Sequence, residues 1–457
     1  MIKKNLFKSI LVITSLLLQL NLLAQTSPVT IHVGTAGTLP TLIAENQKYE
    51  TTDLTLTGSL NGTDIWYIRE MAGCNFIGFY TDGKLANLDL SGANIVSGGN
   101  SYFKYFHSGG KEYYTANNQI SDYMFIYCIS LETVILPKSV TLIGNAAFQG
   151  CGGLTSITIP NNVTSIGEGA FGGCTGLKKF VVSEENPNYS ALDGVLFNKD
   201  KTILLAYPNA SSGVYSIPNG VTSIGNAAFQ GCRGLTSVTI PNTVTSIGNS
   251  AFFDCSGLTN ITIGSSVTSI GGSAFFRCYG LTSVTIPNSV TSIGERAFQE
   301  CDGLTSVTIG SGVTQIQWHA FWNCTGLTEI YSKNLTPAPL LMGWGGIFYG
   351  VNKTACKLYV PKGPKLAYQS VPQWQDFENI IEIDMTSINS VEEEKITIQS
   401  ISNAIVIETK EATPVSVYTL SGQQVYQSVI IGNAEINLNK GVYIVRINNE
   451  SQKVVVK

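Results

Sequence analysis

The sequence predicts a mainly β solenoid followed by a small C-terminal β-sandwich. Eight cysteines recur at a nearly constant spacing, apolar and hydroxyl residues alternate within each repeat, and short alternating runs fill residues 396–457. Alternation at a period of two indicates half-buried strands. A constant period of this length indicates stacked repeats rather than one globular core.

The first 24 residues predict a secretory signal peptide. Lys3, Lys4 and Lys8 precede an apolar run from Ile10 to Leu23, and Ala24 is a suitable cleavage point. A basic start, a short apolar run and a small residue at the cut are typical of this signal. Polar residues interrupt the run, which disfavours a permanent membrane helix. We therefore expect an exported chain with no transmembrane segment after processing.

The 23-residue repeat predicts a leucine-rich-repeat coil. Leu281, Val284 and Ile286 alternate as a strand, and Ile293 and Phe298 belong to the segment that returns to the next strand. A period of 20–29 residues with leucine-like positions is typical of this fold. We predict a right-handed coil of about twelve repeats with a parallel sheet. The cysteines that mark it are Cys128, Cys151, Cys174, Cys232, Cys255, Cys278, Cys301 and Cys324.

The coil is expected over residues 85–383, with one insertion and a cap at each end. The step between the third and fourth cysteines is 58 residues instead of 23. Within its insertion, residues 183–213, two alternating runs flank a polar turn and predict a β-hairpin. Solenoids need their open ends covered. We assign residues 25–84 and 354–383 to these caps.

The periodic cysteines are expected to form a structural ladder of buried thiols. Equivalent residues of stacked repeats lie about 4.8 Å apart, whereas bridged Cβ atoms prefer about 3.8 Å. Export favours disulfides, so that alternative stays open. No histidine recurs beside the cysteines, which disfavours metal ligation. Cys74 and Cys356 fall outside the ladder, and the sequence does not pair them.

Composition and residue inventory disfavour nucleic-acid binding and catalysis. The charged fraction is 13% and the net charge is −4, so the chain has no basic field for nucleic acid. His32, His107 and His319 accompany no nucleophile motif, and the pair Glu184–Glu185 is expected in a solvated loop. We expect no catalytic residue, no metal and no cofactor, with a hydrolase as the least favoured alternative.

The variable positions of the repeat are the best binding candidates. Phe253, Phe276 and Trp322 follow the constant phenylalanine of their repeats, and Tyr279 follows a periodic cysteine. We expect these four residues to line one edge of the coil as an aromatic contact patch. Packing against neighbouring repeats is the alternative interpretation.

Hydroxyl residues are expected in columns on the exposed strand face. Threonine suits strands and keeps an exposed sheet soluble, while a flat array for a polymeric or crystalline partner is the alternative. Asn260, Glu329 and Tyr331 interrupt the regularity. The columns are Thr158, Thr239, Thr262, Thr285 and Thr308, beside Ser156, Ser237, Ser283 and Ser306.

The repeat resembles the BspA-like leucine-rich repeats of bacterial surface proteins. The resemblance is carried by "IPNSVTSIGERAFQEC" and its sister repeats, by "DGVLFNKDKTILLAYP" in the insertion and by "LYVPKG" in the C-terminal cap. It implies an exported, non-catalytic, adhesin-like protein that binds a host matrix protein, a glycan or another cell surface. A structural surface-layer scaffold without a specific ligand is the alternative. The shared positions are core, so the resemblance assigns no binding residue.

The C-terminal segment resembles the sorting domain of type IX secretion substrates. Residues 384–395 are polar and acidic and predict a linker, and the six or seven alternating runs in residues 396–457 predict a β-sandwich. "YTLSGQQV" and "LNKGVYIVRI", with Leu438, Gly441 and Tyr443, carry the resemblance. It implies recognition by secretion machinery and display at the outer-membrane surface, often with removal of the domain.

Overall fold

The structure is a computed structural model that describes residues 28–105, 109–339, 346–385, 397–401, 404–447 and 450–456. These residues form a β-solenoid of about 15 parallel stacked repeats with little helix, and an antiparallel C-terminal region. The predicted fold class is confirmed, with more repeats than the twelve expected. The predicted signal peptide and almost all of the predicted linker lie outside the described residues.

The chain divides into two compact units. The first holds the described residues up to Ser212, with Ile224–Gly234 and Gly248–Ser256. The second holds Gly213–Ser223, Leu235–Ile247 and the described residues from Gly257 onward. Both units consist largely of stacked repeats, and the second also contains the C-terminal sheet.

Short strands dominate the secondary structure. The strands of the N-terminal half are β1 (Val29–Val33), β2 (Asp53–Leu60), β3 (Asn87–Ile95), β4 (Phe103–Tyr105), β5 (Lys111–Tyr113), β6 (Gln119–Ile120), β7 (Thr133–Ile135), β8 (Leu142–Ile143), β9 (Ser156–Ile159), β10 (Ser165–Ile166), β11 (Lys179–Val182), β12 (Tyr189–Leu192), β13 (Val195–Asn198), β14 (Ile203–Ala206), β15 (Gly213–Ser216) and β16 (Ser223–Ile224).

The C-terminal half continues the pattern before its strands lengthen. Its strands are β17 (Leu235–Thr239), β18 (Ser246–Ile247), β19 (Asn260–Thr262), β20 (Ser269–Ile270), β21 (Ser283–Ile286), β22 (Ser292–Ile293), β23 (Ser306–Ile309), β24 (Gln315–Ile316), β25 (Glu329–Ser332), β26 (Lys357–Pro361), β27 (Asn379–Ile383), β28 (Thr397–Ile401), β29 (Ala404–Thr419), β30 (Gln424–Asn437), β31 (Gly441–Ile447) and β32 (Glu450–Val456). The helices of the described residues are α1 (Leu39–Leu42), α2 (Gly62–Met71) and α3 (Lys365–Ser370).

Six parallel strands form the main sheet of the first unit, in the order β1-β2-β3-β7-β9-β11. Their register pairs Leu54 with Leu88, Leu88 with Val134, and Val134 with Ile157. Each of these side chains is at most 4% exposed. Because side chains alternate across a strand, this register places these four apolar residues on the same buried face.

The N-terminal cap differs from the prediction. The sequence predicts an irregular segment at residues 25–84, but β1 and β2 extend the parallel sheet through it. The alternation was present in these strands, but they lack the cysteine that marks later repeats. Helix α2 then replaces a return segment. Asn61 accepts from the Thr63 N–H and donates its own N–H to Asp64, so the helix starts with a capping box.

One repeat of the second unit shows how the sequence builds the coil. Its strand β21 points Ser283 and Thr285 to solvent, while the apolar positions point inward. The next strand, β23, pairs with β21 in parallel, with Val284 opposite Val307. The inward side chains are at most 3% exposed: Leu281, Val284, Ile286, Val290, Ile293, Phe298 and Cys301.

A column of stacked phenylalanine rings joins the return segments. In the second unit the ring centroids of Phe275 and Phe298 lie 5.0 Å apart, and those of Phe298 and Phe321 lie 5.3 Å apart. Phe348 continues the column, and Trp374 closes it at 5.2 Å. Aromatic pairs of this kind add stability beyond the burial of their area. The column therefore locks the register of consecutive repeats.

The insertion and the C-terminal cap are also built from strands. Within residues 183–213, β12, β13 and β14 form an antiparallel sheet, which is three strands where the sequence predicts a two-stranded hairpin. Within residues 354–383, β26 and β27 continue the parallel sheet of β25 on either side of α3. Tyr368, Trp374 and Phe377 are at most 2% exposed beneath this cap.

The C-terminal segment forms a five-stranded antiparallel sheet from β28 to β32. The prediction of six or seven strands is corrected because two pairs of runs are continuous. The run before Thr409 and the run after Thr413 belong to one strand, β29, and β30 likewise unites two runs. The register shifts between Thr409 and Thr413, which are both buried. Polar residues at that irregularity resemble a turn in the sequence.

Candidate binding surface

The return segments project the variable side chains, and their backbone conformation explains how. In the regular repeats the segment has the form X-Ala-Phe-x-X, with both outer residues at positive φ. In the second unit Ser273 and Arg277 have φ of 54° and 60°, and His319 and Asn323 have φ of 56° and 53°. This left-handed conformation is unfavourable for residues with a Cβ. The enclosed alanine and phenylalanine turn inward, so the outer residues face solvent.

Main-chain hydrogen bonds hold neighbouring return segments together. Phe275 N donates to Ala297 O at 2.7 Å, and Arg277 N donates to Gln299 O at 3.0 Å. The next repeat continues the pattern, since Glu300 N donates to Trp322 O at 2.8 Å. The backbone is therefore fixed, and the outward side chains can vary without loss of the fold.

An aromatic cluster surrounds Trp322 in the second unit. The Trp322 ring stacks on Tyr349 with centroids 4.2 Å apart, and the His319 ring meets it edge-on at 4.4 Å. The ring centroids of Trp318 and His319 lie 6.5 Å apart, in an edge-to-face arrangement. Trp322 is half-buried, whereas Tyr349 is 52% and Trp318 is 46% exposed. We call Trp318, His319, Trp322 and Tyr349 the tryptophan cluster.

Sequence reasoning missed two members of this cluster. Tyr349 occupies the position of Trp322 in the following repeat, but that repeat has lost its cysteine and its spacing, so the alignment is hidden. Trp318 precedes the first left-handed residue of its return segment, a position that the motif does not single out. A search for exposed aromatic residues one repeat away from Trp322 would have found Tyr349.

The other three predicted aromatic residues belong to earlier repeats of the chain. Phe276 is half-buried, and the Arg277 guanidinium carbon lies 5.0 Å from its ring centroid. Arg277 Nε also donates to Glu300 at 2.8 Å. Tyr279 is 40% exposed. Phe253 belongs to the first unit, is half-buried, and accepts the Gly231 N–H at its carbonyl.

All ten cysteines are reduced thiols, and all are buried. Thiols of the ladder donate to the carbonyl of the column phenylalanine one repeat earlier at Cys151, Cys174, Cys255, Cys301 and Cys324, whereas Cys232 lies 3.9 Å from the Tyr207 carbonyl. In the second unit Cys301 Sγ lies 3.1 Å from Phe275 O, and Cys324 Sγ lies 3.1 Å from Phe298 O. Burial raises the pKa of Cys324 to about 12. A buried, neutral thiol is an unreactive structural group.

The hydroxyl columns are partly structural. On the strand face Thr285 lies opposite Thr308, and Thr308 lies opposite Tyr331 on the following strand. Thr308 is only 7% exposed. The Tyr331 ring stacks on the Tyr359 ring with centroids 4.5 Å apart, and the Tyr331 hydroxyl donates to the Glu329 carboxylate. A second set, missed by sequence reasoning, bonds each repeat to the carbonyl 23 residues earlier. In the second unit these donors are Thr245, Thr259, Thr268, Thr282, Thr291, Thr305, Thr314 and Thr328.

The remaining polar candidates do not converge on a reaction centre. His32 Nδ1 bonds the Thr57 hydroxyl, Glu184 and Glu185 are exposed, and His107 lies outside the described residues. Across the described ranges, no group of three or more metal-ligating side chains could hold an ion. Two cavities of the first unit have volumes of about 20 and 110 Å³, below the roughly 300–1,000 Å³ of small-molecule sites.

Comparison with protein families matches two parts of the chain. Residues 79–201 and 206–328, more than half of the chain, match the BspA type leucine rich repeat region in six copies. Residues 400–457 match the secretion system C-terminal sorting domain. No curated protein shows significant similarity to the chain. None of the helices that the structure describes could span a membrane by length and apolar character.

Solved structures that are similar to the chain include two bacterial leucine-rich or antigen proteins. A leucine rich cell surface protein from Faecalibacterium prausnitzii is 31% identical, with 62% of this chain and 73% of that chain covered and a TM-score of 0.47. The pneumococcal vaccine antigen PcpA is 20% identical, with 72% and 80% covered and a TM-score of 0.47.

Proposed function

Because the chain belongs to the BspA-type leucine-rich repeat proteins, we propose that it is a non-catalytic, adhesin-like binding protein. The repeats and the C-terminal sorting domain make it a secreted cell-surface protein, delivered by a secretion system that recognises the sorting domain. Its partner is a host matrix protein, a glycan or another cell surface. Recognition at a surface, rather than in a pocket, suits a fold whose interior is filled by its own repeats.

The tryptophan cluster is the observation that carries this proposal. Large aromatic side chains at the surface are enriched in binding hot spots. Here they stand on a backbone fixed by hydrogen bonds between return segments, so little conformational entropy is lost on binding. Phe276 and Tyr279 belong to the same unit and extend the set of candidate contacts. Phe253 is a further candidate in the first unit.

Substitution of the cluster tests the proposal. Purified full-length protein would be measured against immobilised collagen, laminin and mammalian glycans. We expect Trp322→Ser and Tyr349→Ser each to weaken saturable binding at least tenfold. Leu366→Ser is the matched control, because Leu366 is an apolar residue of the same unit that is 79% exposed.

The outcomes separate binding from scaffolding. Unchanged binding in both cluster variants would mean that the rings serve only to pack neighbouring repeats. An absence of saturable binding in the unmodified protein would favour the surface-layer scaffold. Thermal unfolding of each variant, compared with the unmodified chain, shows whether any loss arises from unfolding.

A further inference from the structure

A second aromatic surface lies in the first unit, where two irregular segments meet a return segment. These segments are the loop Asn75–Tyr80, the hairpin of β4 and β5, and the return segment Tyr123–Tyr127. The exposed or half-buried rings that they bring together are Phe79, Tyr80, Tyr105, Tyr113, Tyr123 and Tyr127. We call this set the tyrosine platform.

The rings of the platform contact one another directly. Tyr105 stacks on Tyr123 with centroids 5.5 Å apart, and Tyr113 meets Tyr123 at 4.7 Å. The loop lies beside Tyr127, since a Cβ at Gly78 would be 3.9 Å from the Tyr127 ring. Phe79 and Tyr80 are 66% and 70% exposed, so they are open to solvent on that loop. The three segments thus present ring faces and edges with phenol hydroxyls.

The repeat itself places two of these rings. Tyr123 and Tyr127 are the two left-handed residues of their return segment, each with φ of 59°. The next return segment has Gly150 at the position of Tyr127, and a Cβ there would lie only 2.5 Å from the Tyr127 ring. Gly150 thus allows Tyr127 to lie flat across the neighbouring repeat.

The exposed loop is held rigidly. Asn75 Oδ1 accepts from the N–H groups of Ile77 and Phe79 at 3.0 and 2.9 Å, and Asn75 N donates to Phe79 O at 2.9 Å. Lys104 N donates to Phe76 O at 2.9 Å, which ties the hairpin to the loop. Phe79 and Tyr80 are therefore exposed on a fixed backbone.

A buried arginine joins the three segments beneath the platform. Arg69 is 0% exposed and donates to the carbonyls of Tyr123, Met124 and Asn75. Its guanidinium carbon lies 4.8 Å from the centroid of Phe103. None of these hydrogen-bond partners is a carboxylate, and the Arg69 Nε atom has no hydrogen-bond partner among the described residues. A buried charge without a counter-ion is costly, which is consistent with a positioning role for Arg69.

Local charges indicate the chemistry of the ligand. Lys111 Nζ lies over the Tyr113 ring at 5.1 Å, whereas Lys104 and Glu112 pair at 3.2 Å on the opposite face of the hairpin. The charged side chains of the hairpin are thus either engaged with a platform ring or directed away from the platform, which disfavours a highly charged ligand. A pyranose ring has an apolar C–H face for an aromatic ring and hydroxyls that bond to phenols. We propose that the tyrosine platform is a binding site for a neutral saccharide, separate from the tryptophan cluster.

Affinity electrophoresis of the full-length protein tests this proposal. Native gels would contain dextran, laminarin, mannan or xyloglucan, with heparin as a charged comparison. We expect at least one neutral glycan to retard the protein, and Tyr80→Ser and Tyr105→Ser each to lower the apparent affinity at least tenfold. Tyr114→Ser is the matched control, since Tyr114 is 53% exposed and directly follows the platform residue Tyr113. Neighbouring residues of an extended strand point to opposite sides.

Several results would overturn the assignment. These are no retardation by any neutral glycan, retardation by heparin alone, or equal loss in Tyr114→Ser and Tyr80→Ser. Loss of matrix-protein binding in Tyr80→Ser without any glycan effect would make the platform a protein site instead. Tyr349→Ser distinguishes the two proposals, because it should abolish binding at the tryptophan cluster and leave glycan retardation unchanged.

Discussion

At the residue scale, the periodic cysteine adds a hydrogen bond between consecutive repeats. Its sulfur is small enough for the interior and donates to a phenylalanine carbonyl that the strands do not use, for example Cys174 Sγ to Phe148 O at 3.0 Å. The same carbonyl also accepts the Cys151 N–H at 3.1 Å, so the thiol is its second donor. A hydrogen bond of this kind contributes about 0.5–1.5 kcal/mol, which alanine in the same position would not supply. This accounts for a cysteine at the end of nearly every repeat without a disulfide or a metal.

Alkaline pH should destabilise the fold through these thiols. Burial raises the pKa of Cys174 and Cys324 to about 12, whereas an unfolded thiol ionises at about 8.5. Because the raised pKa belongs to the folded state, the stabilisation is complete below about pH 8.5 and falls as pH rises towards 12. Each such thiol should lower the free energy of unfolding by about 1.4 kcal/mol per pH unit in that window.

Urea unfolding under reducing conditions, at intervals from pH 7 to 10, measures this effect. Cys324→Ala is the control variant, and its free energy of unfolding should fall less steeply with pH than that of the unmodified chain. Equal stability at pH 7 and pH 10 in the unmodified protein would contradict the burial of neutral thiols. An unfolded tyrosine ionises at about 10 and a lysine at about 10.4, so tyrosines whose pKa is raised by burial add to the slope only near pH 10.

At the element scale, the repeat is the unit that folds and varies. In an isolated repeat the strand would have no hydrogen-bonded neighbour and the phenylalanine ring would have no stacking partner. Stability therefore comes from the contacts between repeats. The register of these contacts is set by a period of 23 residues. Threonine hydroxyls and thiols donate to carbonyls of the preceding repeat, and phenylalanine rings stack on the equivalent ring of that repeat. A change of length that respects the period should therefore be tolerated.

Deletion of residues 280–302 tests the importance of this period. Removal of one whole repeat brings Thr305 to the Thr259 carbonyl that Thr282 now uses, and it brings the Phe321 ring to Phe275. We expect a folded β protein with a cooperative thermal transition, measured by circular dichroism. Deletion of residues 280–291 is the matched control. It should abolish cooperative unfolding because it places polar strand faces against apolar positions.

If both deletion variants unfold alike, the register between repeats is not what stabilises the coil. If both fold equally well, the stacked columns contribute little. Either result would remove the physical basis for treating the return segments as a fixed support for variable side chains.

At the scale of the whole molecule, the C-terminal sheet has a hydrophobic core of its own. The cluster contains only residues of the five C-terminal strands: Ile405, Ile407, Val415, Val417, Ile430, Ile436, Tyr443, Val445, Ile447, Val454 and Val456. A segment with its own core can fold without the rest of the chain. That property suits a sorting domain, which must be recognised whatever the protein attached to it does.

Deletion of residues 400–457 should separate delivery from folding. We expect the truncated protein to unfold at the same temperature as the repeats of the full chain, measured by calorimetry. We also expect surface labelling of the producing cells to detect the full chain and to miss the truncated one. A large fall in the unfolding temperature would show that the repeats depend on the C-terminal sheet. Surface display without it would contradict delivery by the sorting domain.

Part of the candidate binding surface could be predicted, and part could not. The constant positions identified the variable ones by contrast, which is how Trp322 and Phe276 were found. Tyr349 escaped because its repeat has lost the cysteine. The tyrosine platform escaped for a different reason. Tyr80 and Tyr105 come from irregular segments, and no periodicity relates their positions in the chain to that of Tyr123.

The sequence by itself determined the repeat, its buried face and the sorting domain. Each of these depends on local spacing or composition, which a single chain displays directly. The tertiary structure alone decided that β1 and β2 belong to the coil, that Tyr349 lies on Trp322, and that Arg69 supports an aromatic surface. These are contacts between residues far apart in the chain, and their partners are selected by packing and hydrogen bonding, which leave no regular trace in the sequence.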